Sequence, residues 1–166
     1  MTRTPTRTPT TTPAPGYLDA HSDALLGIAA TRGRPDGTRF VDKHLPELER
    51  AGVTHQFLTV GGDFPLFASD LERRDGLREC LAMIDVLHCE LEDSRGRLRL
   101  VREEGDLAAA EGMAVVAHVE GAGFLEGDPA YLRLLHRLGV RSIGLTWNEA
   151  NPLGDGCRSG RDAGLT

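Results

Sequence analysis

The segment Met113-Ala-Val-Val-Ala-His-Val119 narrows the possible folds more than any other stretch of the chain. A strand with one solvated face alternates apolar and polar residues, but this one is apolar at almost every position. It therefore predicts a strand covered on both faces, as in a parallel sheet flanked by helices. Three other segments read as strands. They are residues 17–23, the β-branched run 53–60 and the run 140–147 that follows a helix pattern. Residues 98–102 read as a short additional strand.

Helix patterns lie between these strands. Leu77, Leu81, Ile84, Leu87 and Leu91 recur at spacings of three and four, and Ser69 with Glu72 has the spacing of a capping box ahead of them. Asp128-Pro129 starts a second helix, with Leu132, Leu135 and Leu138 as its stripe and Gly139 as its stop. A short helix over 45–51 ends at Gly52, and a single turn is expected at 107–111. Residues 24–41, interrupted by Gly27, Gly33, Pro35 and Gly37, read as a long loop. Alternating strands and helices supply the crossovers that parallel pairing needs, so the class is α/β. The expected architecture is the N-terminal part, about half, of a TIM (β/α)8 barrel, which takes roughly 250 residues. A small doubly wound sheet is the alternative.

The expected domain division is a disordered Thr/Pro/Arg tail over 1–16 and an incomplete barrel domain over 17–166. The tail is an imperfect TRTP repeat without apolar surface to offset chain ordering. It has no apolar leader segment, and no later run is long enough to span a membrane, so a cytoplasmic protein is expected. A net charge of −6 gives no basic surface for nucleic acid or an anionic membrane. The three cysteines, Cys80, Cys89 and Cys157, fit no zinc-binding spacing and read as small buried side chains.

Three groups of residues can carry chemistry. His21 and Asp23, two apart on a strand, project to one side and can converge on a metal ion, although H-x-D alone equally suits a strand-end ion pair. Glu120 closes the apolar strand just before Gly121, at the strand end where α/β folds place their sites, and can bridge two metals. His118, deeper on the same face, reads as a packed neighbour rather than a ligand. Trp147, Asn148 and Asn151 can line a pocket, or the two asparagines can organise a turn. His44, His55, His88 and His136 carry no assigned chemistry, and no catalytic residue is assigned. The chain contains no G-x-G-x-x-G, no Walker motif and no G-x-S-x-G.

In order, these segments resemble the membrane (renal) dipeptidase family of zinc metallopeptidases, family M19. Leu18-Asp-Ala-His-Ser-Asp23 is similar to the family's D-G-H-N-D strand. His118-Val-Glu-Gly-Ala122 is similar to its apolar strand ending in E-G. Leu138 through Asn148, with Asn151 and Asp155-Gly156, resembles L-G-x-R-x-x-x-L-T-H-N, and Gly164-Leu-Thr166 resembles the start of the next motif. The resemblance implies a two-zinc barrel in which His21 and Asp23 bind one ion and Glu120 bridges both. It further implies hydrolysis of a dipeptide or related small amide by zinc-activated water. Trp147 stands where the family often has histidine, so an altered substrate preference is expected. Two further histidine ligands, the carboxylate-binding arginine and the acid/base aspartate belong to the family's later strands and have no counterpart in these 166 residues. An incomplete fragment, inactive alone, is therefore expected. Two other readings stay open: a metal-dependent barrel hydrolase of another amide, ester or lactone, and a non-catalytic α/β ligand-binding module.

Overall fold

The computed structural model describes residues 16–31, 37–63, 75–108 and 111–165. In chain order the elements begin with strand β1 (Tyr17–Ser22) and helices α1 (Ala24–Ala29), α2 (Phe40–Lys43) and α3 (Leu45–Ala51). Strand β2 (Val53–Gly62), helix α4 (Gly76–Asp93), strand β3 (Leu98–Leu100) and the short helix α5 (Glu104–Ala108) come next. Strand β4 (Met113–Glu120), helix α6 (Pro129–Leu138) and strand β5 (Val140–Gly144) complete the series. The expected tail over 1–16 and the Ser69/Glu72 capping box lie outside the described residues, Gly16 excepted.

All strand pairs are parallel. β1 pairs with β2 and β2 with β4, while β4's other edge is shared. There β3 pairs with the first half, Leu98 opposite Met113, and β5 with the second, Ser142 opposite His118 and Gly144 opposite Glu120. Leaving aside the short β3, the spatial order follows the chain order, as it does around a barrel.

The apolar run of β4 is indeed covered on both faces. Met113, Val115, Ala117 and Val119 point into the main core with Leu58, Val60, Met83 and Leu87. Ala114 and Val116 turn the other way, into a small second cluster with Val101 and Phe57. By the two-residue period of a strand, His118 and Glu120 continue this second face toward the strand's end. The chemistry therefore sits on the side of the sheet away from the helices.

The structure corrects several expectations. Residues 24–41 are not all loop: α1 forms because Leu25 and Ile28, one turn apart, are both buried. α4 is capped by Asp75, whose side chain accepts from the Arg78 N–H at 3.0 Å. Its buried face runs through Cys80, Met83, Ile84 and Leu87, and Leu81 is 43% exposed. The reason is Gly61 of β2, which lies so close that a Cβ on it would be 2.8 Å from the Cys80 Cβ. That approach seats Cys80 against the sheet and leaves Leu81 at the margin, while Ile84 and Leu87 of the expected stripe are buried. On α6 only Leu135 is buried, with Leu132 and Leu138 exposed at the open side of β5.

β5 stops at Gly144, short of Trp147. The Asn151 side-chain amide takes the Leu145 carbonyl at 2.7 Å and bends the chain away. The turn expected at 107–111 instead starts at Glu104, where the Asp106 carboxylate accepts from the Arg102 and Glu103 N–H groups at 2.7 and 3.0 Å. Cys80 is buried, but Cys157 is exposed in the loop after β5.

Candidate metal centre

A bulge in β1 allows its end to present His21 beside the end of β4. Asp19 pairs with Gln56 and Ser22 with Leu58, so three steps on β1 match two on β2. The Gln56 amide is buried and donates to Asp19 Oδ2 at 2.8 Å, which pins the strand just before the bulge. His21 Nε2 then lies 3.6 Å from Asp23 Oδ1 and 3.8 Å from Glu120 Oε1. One ligand atom from each of the three residues falls within 4.8 Å of the others. A gap of more than about 8 Å would be incompatible with shared coordination, whose direct bonds are about 2 Å.

Glu120 is the least exposed of the three side chains, at 24%, against 46% for His21 and 54% for Asp23. Burial raises its carboxyl pKa above the usual value; the Asp23 charge adds to this, and His21 opposes it. His118 stands behind the group. Its Nδ1 is 2.8 Å from the Ser142 hydroxyl of β5, and its ring meets His21 edge-on at 5.9 Å and Phe57 at 6.5 Å. Burial lowers its pKa, and His21 lowers it further. His118 packs against the proposed ligand His21, and the convergent group comprises only His21, Asp23 and Glu120 among the described residues.

The other expected residues lie on the loop after β5. Trp147, 36% exposed, lines a recess with Thr146, Asp155, Cys157 and Arg161. The Asn148 carbonyl accepts from the Arg158 N–H at 2.7 Å, and its side-chain oxygen accepts from the Cys157 thiol at 3.3 Å. Asn151 donates to Leu145 O and to Asp63 Oδ2, and accepts from the Leu153 N–H. Both asparagines thus have turn-organising bonds.

Sequence reasoning passed over Asp63. It follows β2, and its Oδ1 accepts the Gly123 N–H at 2.8 Å while its own N–H donates to the Glu120 carbonyl at 3.0 Å. The available signal was a carboxylate just beyond an apolar strand, the same signal that singled out Glu120.

Comparisons with known proteins bear on the family and the fold. The sequence profile described as Membrane dipeptidase (Peptidase family M19) matches residues 16–166. The chain belongs to the membrane dipeptidase family. A crystal structure of a dipeptidase described as a metallo peptidase of family M19 superimposes with a TM-score of 0.69 at 26% identity, covering 84% of this chain and 45% of that one. A Rhodobacter sphaeroides metallo peptidase, liganded with a phosphinate mimic of the dipeptide L-Ala-D-Ala, shares the fold. Its TM-score is 0.70 at 24% identity, covering 84% of this chain and 48% of that one. Dipeptidase verJ of Clonostachys rogersoniana is 33% identical over 88 residues, 51% of this chain and 23% of its own length.

This member of the membrane dipeptidase family therefore spans just under half the length of its solved relatives. Its parallel α/β sheet is the N-terminal part of their barrel. Family members are metallopeptidases, and the donor set here suits that chemistry: one imidazole and two carboxylates, the nitrogen and oxygen ligands that zinc takes. Among the described residues, no helix is long and apolar enough to cross a membrane.

Proposed function

We propose that this chain contributes the first part of a two-zinc dipeptidase centre, with His21, Asp23 and Glu120 as its metal ligands. The observation that carries the reading is the convergence of these three side chains at the C-terminal edge of a parallel sheet, within a chain that belongs to the membrane dipeptidase family. His21 and Asp23 would hold one ion, with Glu120 supplying a carboxylate that the two-ion centre would share. Zinc bound there supplies a Lewis acid for an amide carbonyl and brings the pKa of water toward neutrality. The protein's own part is to bring the three donors together and hold them correctly turned. Ser142, through its bond to His118, fixes the ring that packs edge-on against His21.

The substrate is a dipeptide or a related small amide. Trp147 bears on that choice, because its indole N–H can donate a hydrogen bond but carries no positive charge. The later ligands and acid/base groups implied for the family lie outside these 166 residues, so this chain alone is expected to bind metal weakly and turn over little.

The test measures metal content and dipeptide hydrolysis for this chain and for one extended through the downstream reading frame, each with and without His21→Ala. The proposal expects about two zinc ions and dipeptide cleavage in the extended protein, both diminished by the substitution. Zinc binding without dipeptide cleavage moves the substrate to another amide, ester or lactone. An extended protein that holds no metal, or whose metal is indifferent to His21, sinks the reading in favour of a non-catalytic binding module.

A further inference from the structure

We propose that Asp63 is a positioning residue. Its carboxylate clasps the end of β4 to the loop after β5 and so fixes the turn that carries Glu120. The inference rests on the proposed role of Glu120 for its functional meaning, but the clasp itself is defined by hydrogen bonds and contacts.

Four observations meet at this side chain. Oδ1 accepts the Gly123 N–H at 2.8 Å, three residues past Glu120. Oδ2 accepts the Asn151 side-chain amide at 2.6 Å, and the same amide nitrogen donates to the Leu145 carbonyl at 2.7 Å. The Asp63 backbone N–H donates to the Glu120 carbonyl at 3.0 Å. Finally, Gly121 has φ of +93°, and a Cβ there would lie 2.6 Å from Asp63 Oδ2. The turn after Glu120 is therefore packed directly against the carboxylate.

Three loops at the C-terminal edge of the sheet meet in one residue. Each of its oxygens has a donor from a different loop, and charge-assisted bonds of this kind are stronger than neutral ones. None of these contacts is to the proposed ligand atoms. The side chain acts on Glu120 through the backbone of the Gly121–Gly123 turn.

Donor and acceptor order makes the test specific. In Asp63→Asn the new amide can satisfy only one neighbour. Whichever way it is turned, an NH2 group faces either the Gly123 N–H or the Asn151 NH2. Asn151→Asp alone sets carboxylate against carboxylate. The double variant D63N/N151D restores one complementary pair: the amide introduced at position 63 donates to the carboxylate introduced at position 151, and its oxygen still accepts from Gly123. It leaves the Leu145 carbonyl without its donor, so recovery is expected to be partial. The swap and rescue test the hydrogen bond itself, and its effect on the site is read separately as metal affinity.

In the chain extended through the downstream reading frame, the experiment follows amide hydrogen exchange at Gly121–Gly123 by NMR and titrates cobalt(II) for the wild type, both single variants and the double. D63N is expected to speed exchange at Gly123 by about tenfold or more and to weaken cobalt binding roughly 10- to 100-fold, the range for groups that orient a ligand. The double variant should recover a large part of both losses. Exchange in D63N that stays close to the wild-type rate, or a double variant no better than the singles, overturns the proposal. If wild type fails to take up cobalt while exchange follows the swap pattern, the clasp stands and the metal reading falls.

Discussion

Gly61 is where β2 and α4 come closest, and replacing it with alanine gives the sharpest test of how the site's scaffold is held. A Cβ at this position would lie 2.8 Å from the Cys80 Cβ, 2.9 Å from its sulfur and 3.1 Å from its Cα. The last contact is to helix backbone, so no rotamer change relieves it. The backbone φ of +154° also disfavours any residue with a side chain. Overpacking of this kind costs about 1–3 kcal/mol, and a sparsely allowed backbone conformation costs about as much again, roughly 1–3 kcal/mol. The sum is roughly 2–6 kcal/mol, a large share of the ~5–15 kcal/mol that holds a typical domain together. For a chain of this size that lowers the melting temperature by about 4–24 °C. Urea and thermal unfolding followed by far-UV circular dichroism read the loss directly. A second substitution checks its cause. Cys80→Ala removes the sulfur but keeps the Cβ, so G61A/C80A should recover little, whereas G61A/C80G should recover part despite the cost of about 1 kcal/mol for glycine in a helix. A G61A protein within about 0.5 kcal/mol of wild type, the ordinary range for an unconstrained surface change, would refute the close-approach argument.

Other expectations follow from named contacts. Glu120→Gln should stabilise the metal-free protein at neutral pH. Burial raises the Glu120 pKa in the folded state, so its favourable contribution is complete at low pH and lost as pH rises through that raised value. Melting curves of wild type and E120Q should therefore converge below the ordinary carboxylate range, and a gap that persists there would contradict the sign. Asp75→Ala should cost about 1 kcal/mol by removing the cap of α4, and Asp75→Asn much less, as urea titration can show. A thiol reagent at mildly alkaline pH should modify exposed Cys157 quickly and leave Cys80 unmodified, since burial pushes the Cys80 pKa up to about 12; rapid labelling of Cys80 would mean that α4 is not seated as described. The chain should also self-associate in gel filtration through the open side of β5 and α6, where exposed Leu132 lines a recess with Ile143. Leu132→Lys should reduce that association.

What was legible in the sequence followed from periodicity. The β-branched apolar run 113–119 read as a doubly covered strand, and the positions of His118 and Glu120 on its second face follow from the two-residue repeat. Leu25 and Ile28 were missed because α1 has six residues, too short for a pattern to rise above the surrounding glycines. The α4 stripe was right at Ile84 and Leu87 but not at Leu81, whose inward place is taken by Cys80 against Gly61 of another element. Nonlocal contacts of this kind leave no mark at helical spacing. For the same reason, the convergence of His21 with Glu120, far apart in the chain, could be inferred only from the family resemblance, whereas the structure gives it as a distance.

Asp63 and Glu120 show why two carboxylates at neighbouring strand ends have different uses. Gly62 and Glu120 are register partners, so the two acids leave the sheet at nearly the same level. Asp63 accepts N–H groups on both oxygens, and its charge is held by the loops around it. Among the described residues no hydrogen-bond donor reaches the Glu120 carboxylate. Its partners are His21 at 3.8 Å and the like charge of Asp23, and burial raises its pKa. A partly buried acid that lacks donors and sits beside a second acid is costly to ionise. A bound cation would remove that cost where a protein hydrogen bond does not. The same fold thus uses one carboxylate to fasten its loops and leaves the other with charge to share, and this difference distinguishes the proposed ligand from the clasp.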